Sequence, residues 1–144
     1  MKKLRFITML LIIGLVFTTI SKDFAALATA DQTVDLSSPR MAYITDIRPD
    51  LTLASSIATL QCDVIGIPVT TTKITVTGTL QRYVSGVWIN VSSTSQTANS
   101  YRMKYSRTAA ISSGYSYRAM YEVKAYSGTS FEMVRVYSNT VVAP

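Results

Sequence analysis

The chain has 144 residues, a formal net charge of +6, no histidine and one cysteine, Cys62. Without histidine there is no Ser-His-Asp or Cys-His catalysis and no histidine-containing zinc or copper site. A single cysteine makes neither an intramolecular disulfide nor a thiolate cluster.

Lys2, Lys3 and Arg5 form a basic start, Phe6 to Phe17 an apolar run, and both Ala26-Leu27-Ala28 and Ala28-Thr29-Ala30 fit the small-residue pattern of an export signal. We expect cleavage after Ala30. The apolar run is broken at Ser21-Lys22-Asp23, short of the roughly 20 residues a membrane span needs. Residues 1–30 therefore read as a signal peptide, 31–40, with Ser37-Ser38-Pro39, as a flexible N-terminal segment, and 41–144 as one β-sandwich domain. The expected location is outside the cell, secreted or in the cell wall, with no membrane span after cleavage. An exported domain without a cysteine pair fits a bacterial source. Beyond Ala30 ten basic side chains meet seven acidic ones, a net +3, and residues 101–144 carry six of those cations against two of the anions.

Met41 to Ile47 predicts a first edge strand, ended by a turn at Arg48-Pro49-Asp50. From Ser56 to Val64, Ala58, Leu60, Cys62 and Val64 take one face and Thr59, Gln61 and Asp63 the other. Gly66-Ile67-Pro68 closes that second strand. Thr70 to Tyr83 is rich in β-branched residues, with Ile74, Val76 and Leu80 alternating against Lys73, Thr75, Thr77, Thr79 and Gln81. Gly78 falls on the apolar face, which predicts a bulge or a bulky side chain crossing from a facing sheet. Val84-Ser85-Gly86-Val87 predicts a hairpin turn, with Trp88 in the return strand.

Ser92 to Ser100 (SSTSQTANS) has no apolar residue except Ala98 and predicts an exposed loop. Tyr101, Met103 and Tyr105 alternate with Arg102, Lys104 and Ser106 in a further strand, and Ala109 to Gly114 turns the chain. The longest alternation follows: Tyr115, Tyr117, Ala119, Tyr121, Val123 and Ala125 on one face, Ser116, Arg118, Met120, Glu122 and Lys124 on the other. A hairpin at Ser127-Gly128-Thr129 leads to a final strand, Phe131 to Val142, kinked around Tyr137-Ser138-Asn139. About seven strands with no helical period outside the signal predict an all-β, antiparallel two-sheet β-sandwich. A closed barrel such as an OB-fold is the alternative.

The order of features resembles an immunoglobulin or fibronectin type III module. Cys62 sits where immunoglobulin domains place their first core cysteine, Ala119 where they place the second, and Tyr117, two positions before it, resembles the tyrosine-corner residue. The core tryptophan expected on the third strand is replaced by Val76 or Leu80. Thr77-Gly78-Thr79-Leu80-Gln81-Arg82, Ser85-Gly86-Val87-Trp88 and Gly114-Tyr115-x-Tyr117-Arg118 are similar to motifs of small proteins exported by Gram-positive bacteria. That resemblance runs from Ala58 to Val142 and implies a fold and a compartment but no activity.

Asp63, Glu122 and Glu132 form no recognisable acid/base pair, Asp31, Asp35, Asp46 and Asp50 are too dispersed for a linear calcium loop, and no Gly-rich phosphate loop is present. No catalytic, cofactor-binding or metal-binding residue is therefore expected. Cys62, on an apolar strand face, reads as a small buried hydrophobe. Tyrosine stands beside arginine at Tyr101-Arg102, Tyr117-Arg118 and nearby positions, a pairing that in other settings holds sugars or anionic polymers. In alternating strands, however, neighbours point opposite ways, so we expect tyrosines inward and arginines outward. Arg118 and Lys124 then face outward, Arg135 joins them from the next strand, and Arg102, Lys104 and Arg107 extend the same positive face. The expected function is a non-enzymatic, secreted or wall-associated binding or structural module for an anionic cell-wall polymer, with no nucleic-acid partner. The alternative is a small inhibitor or effector that meets another secreted protein through exposed loops, chiefly Ser92–Ser100.

Overall fold

Positive backbone φ at Ser85 (49°) and Gly86 (89°) gives the two-residue turn that matches the twist of a hairpin, and it joins two of the longest strands in the protein. The computed structural model describes residues 41–144; the expected signal peptide and N-terminal segment lie outside the described residues. The strands are β1 (Ile44–Ala54), β2 (Ile57–Gly66), β3 (Lys73–Val84), β4 (Val87–Ala98), β5 (Arg102–Ala110), β6 (Ser116–Ser127), β7 (Ser130–Tyr137) and β8 (Val141–Val142).

They form two antiparallel sheets, ordered β1-β2-β5 and β4-β3-β6-β7, with β8 pairing the start of β6. The molecule is thus an all-β two-sheet sandwich. Alternation explains the layering. β6 reads as strictly alternating half-buried and buried residues from Ser116 to Ala125, and β2 buries Ala58, Leu60, Cys62 and Val64 against it. The core is one cluster drawn from both inner faces, in which Tyr105, Tyr117 and Tyr121 are the largest wholly buried side chains.

Each of those phenols finds a polar partner, as burial requires. Tyr121 donates to the Asp50 carbonyl at 2.6 Å, and the Tyr105 hydroxyl lies 2.7 Å from that of Thr94. The Tyr117 hydroxyl accepts from the Ser112 N–H at 3.0 Å and donates to the Ser112 carbonyl at 3.2 Å. Tyr117 therefore ties the start of β6 to the chain five residues upstream. Gly78 on β3 lies opposite Tyr121 of β6, and a Cβ at Gly78 would come within 2.6 Å of the Tyr105 ring. A bulky side chain does cross from the facing sheet at this glycine; the β3–β4 bulge lies elsewhere, at Leu80/Gln81.

Two sequence expectations fail at sheet edges. Arg48-Pro49-Asp50 is not a turn: β1 runs through it, pairing Arg48 with Asp63, Pro49 with Cys62 and Asp50 with Gln61. β1 is an edge strand, where a residue without an N–H forfeits no ladder bond on its open side. The chain turns instead at Ser55, with φ 54°. Nor is Ser92–Ser100 a loop, since β4 continues to Ala98 against β3. Hydroxyl pairs join the two strands on their outer face: Thr75 with Thr97 (2.9 Å), Thr77 with Ser95 (2.6 Å) and Thr79 with Ser93 (2.9 Å). The expected kink appears as a gap between β7 and β8, where the Ser138 hydroxyl accepts from the Ala119 N–H at 2.8 Å.

Candidate functional site

The outer face of the β4-β3-β6-β7 sheet carries the most elaborate arrangement of side chains. Register places Asn90, Gln81 and Arg118 in one cross-strand row and Met120 opposite Tyr137 in the next. The Arg118 guanidinium lies over the Trp88 ring at 4.3 Å and the Tyr137 ring at 4.4 Å, so two aromatic rings contact it. Its Nε donates to Gln81 Oε1 at 2.9 Å, and the Gln81 amide nitrogen donates to Asn90 Oδ1 at 2.9 Å. Tyr83 packs on Trp88 with ring centres 5.1 Å apart. Side chains from the β3–β4 hairpin and from β7 thus hold one guanidinium on β6, through ring contacts and through its Nε, which restricts its orientation before any ligand arrives.

The same face continues past the hydroxyl pairs to a second aromatic–cation group. Lys73 Nζ sits 4.0 Å from the Tyr126 ring centre, Tyr126 packs on Phe131 at 5.5 Å, and Lys124 Nζ lies 5.8 Å from Phe131. Phe131 and Met133 are more than half exposed, at 55% and 53%.

The six expected cations do not form one surface. Arg118, Lys124 and Arg135 do share this face, but Arg135 is bonded to Glu122 at 3.1 Å, which also raises its pKa. Arg102 and Lys104 belong to β5 in the other sheet, whose outer face points away from it. There Lys104 lies opposite Asp63, itself opposite Arg48, and Arg48 is bonded to Asp46 at 2.7 Å, so that face is mixed in sign. Arg107 has the parity of the buried Met103 and Tyr105 and faces the same side as Leu60, its cross-strand partner. It is nonetheless exposed, unlike those two residues. Alternation predicts in or out within a strand, but not which sheet a strand joins.

Sequence reading does not single out Trp88, Gln81 or Tyr83 as site residues, and it sets Tyr137 beside Arg135 rather than Arg118. Their positions follow from cross-strand register, which pairs residues more than thirty apart in the chain, such as Gln81 with Arg118. The tyrosine–arginine contact that matters joins Arg118 to Tyr137, rather than to its neighbour Tyr117, which is buried as alternation requires.

Burial pushes the Cys62 thiol up to about 12, with a smaller contribution from the charge of Asp63. Tyr121 is raised as well, first by burial and then by the neighbouring Cys62 and Tyr105. These groups stay protonated inside the core and offer no nucleophile. Among the described residues, no three or more acidic or cysteine side chains gather where they could hold a metal ion, and no helix is long and apolar enough to cross a membrane. No family model matches the chain, and no curated protein matches its sequence significantly.

Proposed function

We propose that the protein is a secreted or cell-wall-associated, non-enzymatic binding or structural module of the immunoglobulin/fibronectin type III-like kind, and that it binds an anionic envelope polymer through the outer face of its five-stranded sheet. The observation that carries the reading is the Arg118 guanidinium, in contact with the Trp88 and Tyr137 rings and oriented by Gln81. A guanidinium restricted in orientation loses little freedom on meeting a carboxylate or phosphate, and the neighbouring rings and hydroxyls suit the sugar units between such groups. Lys124 and Lys73 supply further charge along the same face. The fold-level part draws support from Tyr117, which makes the corner hydrogen bonds to the backbone upstream, and from Cys62 and Ala119 buried on inner faces of opposite sheets. With Ser92–Ala98 in a strand, the inhibitor alternative loses the contact loop on which it rested.

The test is sedimentation of the mature protein with purified Gram-positive cell walls across a salt series. Binding should weaken as salt rises, because exposed charges are screened beyond about 8 Å at physiological ionic strength. Arg118→Gln and the pair Arg118→Glu with Lys124→Glu should lower the bound fraction, while Arg102→Glu with Lys104→Glu, on the opposite face, leaves it unchanged. Absence of binding at low salt, or equal binding by all variants, would overturn the reading.

A further inference from the structure

The four sheet edges are not alike. β1 carries Asp46, Arg48, Pro49 and Asp50; β5 carries Arg102, Lys104 and Arg107; β7 carries Glu132 and Arg135. Charges and proline along an edge are the usual means of preventing a second chain from adding a strand, since the edge's open N–H and C=O groups otherwise invite pairing. β4 has neither: from Val87 to Ala98 there is no charged residue and no proline over 12 residues. Its one irregularity is the bulge at Val91, left over where Leu80 pairs with Ser92 and Gln81 with Asn90. Past that bulge, Ser92 to Ala98 pairs with β3 without interruption, and its other side is open.

We infer that β4 is a self-association edge, and that a second copy of this chain pairs there antiparallel, β4 against β4, about a two-fold axis near Ser95. The sequence of the segment favours a second copy over a charged partner. A two-fold axis at Ser95 sets Ser95 against its own copy, Ser93 against Thr97 and Thr94 against Gln96, so the segment is self-complementary in hydroxyl and amide side chains and carries no charge for an oppositely charged partner to meet. With the axis at Ser95, Ser93 of one copy stands opposite Thr97 of the other, both hydroxyl residues on the outer face that already pair with Thr79 and Thr75 within one chain. The hydroxyl rows of β3 and β4 then continue across the axis, and Val87, Ile89 and Val91, 58%, 38% and 43% exposed at the near end of β4, lie beside the new contact. A single strand pair buries less than the roughly 1,000 Å² of a stable interface, so a reversible dimer in the micromolar range or weaker is expected.

Sedimentation equilibrium of the mature chain over a concentration series measures this directly, with circular dichroism confirming that each variant folds. Wild type should show a monomer–dimer equilibrium. Ser93→Lys with Thr97→Lys places like charges opposite each other at both ends of the segment and should weaken the dimer at least tenfold. Ser93→Lys with Thr97→Glu in the same chain places opposite charges face to face in the antiparallel arrangement and should restore it. A chain that stays monomeric into the millimolar range, one that pairs only with an unrelated extended peptide, or a dimer indifferent to all these substitutions would overturn the inference.

Discussion

A methyl group added at Gly78 would meet the Tyr105 ring and hydroxyl at 2.6 Å, and that ring cannot withdraw without giving up its bonds to Thr94 and its edge-on contact with Tyr121. Gly78→Ala is therefore expected to cost about 3 kcal/mol, the upper end for overpacking a core. In a Tyr105→Leu background the same change should cost much less, and the difference between the two urea-denaturation series measures the coupling. Tyr117→Phe should cost about 1 kcal/mol, because Ser112 lies at the surface, where water replaces the lost bonds. The buried thiol sets the response to alkali. Between its ordinary value of 9.0 and about 12, folded Cys62 keeps a proton that the unfolded chain has lost, so the native state holds more protons and stability falls as pH rises. The contribution is intact below pH about 9 and lost progressively above it. Urea midpoints should be flat from neutral pH to that point and then decline; in Cys62→Ala the decline should begin later, carried by Tyr121. Ellman's reagent should react with Cys62 only after unfolding, and rapid reaction of the native protein would contradict this burial.

At the scale of elements, β2, β5 and β6 are legible because their buried residues fall on one face, and β3 is legible through Ile74, Val76 and Leu80 even though Thr79 and Gln81 on its other face are buried too. The second half of β4, from Ser92 to Ala98, is hidden for the opposite reason. Its pairing with β3 rests on main-chain bonds and Ser/Thr hydroxyls, and most of its residues face solvent, so no apolar period marks it. β1 was cut short by the ordinary meaning of proline, which changes at an edge. The candidate site was half legible: parity put Arg118, Lys124 and Arg135 outward, but the aromatic partners of Arg118 come from β4 and β7 through non-local pairing. Two measurements address these elements. Pro49→Ala should change stability by less than about 1 kcal/mol, since no ladder bond is at stake on the open side of β1. Thr77→Ala should likewise cost under about 1 kcal/mol, because a cross-strand hydroxyl pair at the surface contributes no more than that.

For the molecule as a whole, the two outer faces divide the charge. One is mixed, with Asp46, Asp50 and Asp63 set among Arg48, Arg102 and Lys104; the other gathers aromatic rings and hydroxyls around Arg118, Lys124 and Lys73. Trp88, the only tryptophan in the chain, stands on β4 with Arg118 over its ring and Tyr83 against it. The protein therefore carries a single indole, excitable apart from its tyrosines at the red edge of their absorption, at the junction of the proposed binding face and the unguarded edge. Its emission follows the position of one guanidinium and the solvation of one strand, so polymer titration, strand pairing and unfolding are all readable as changes in the colour and intensity of light from the same indole, with no dye attached.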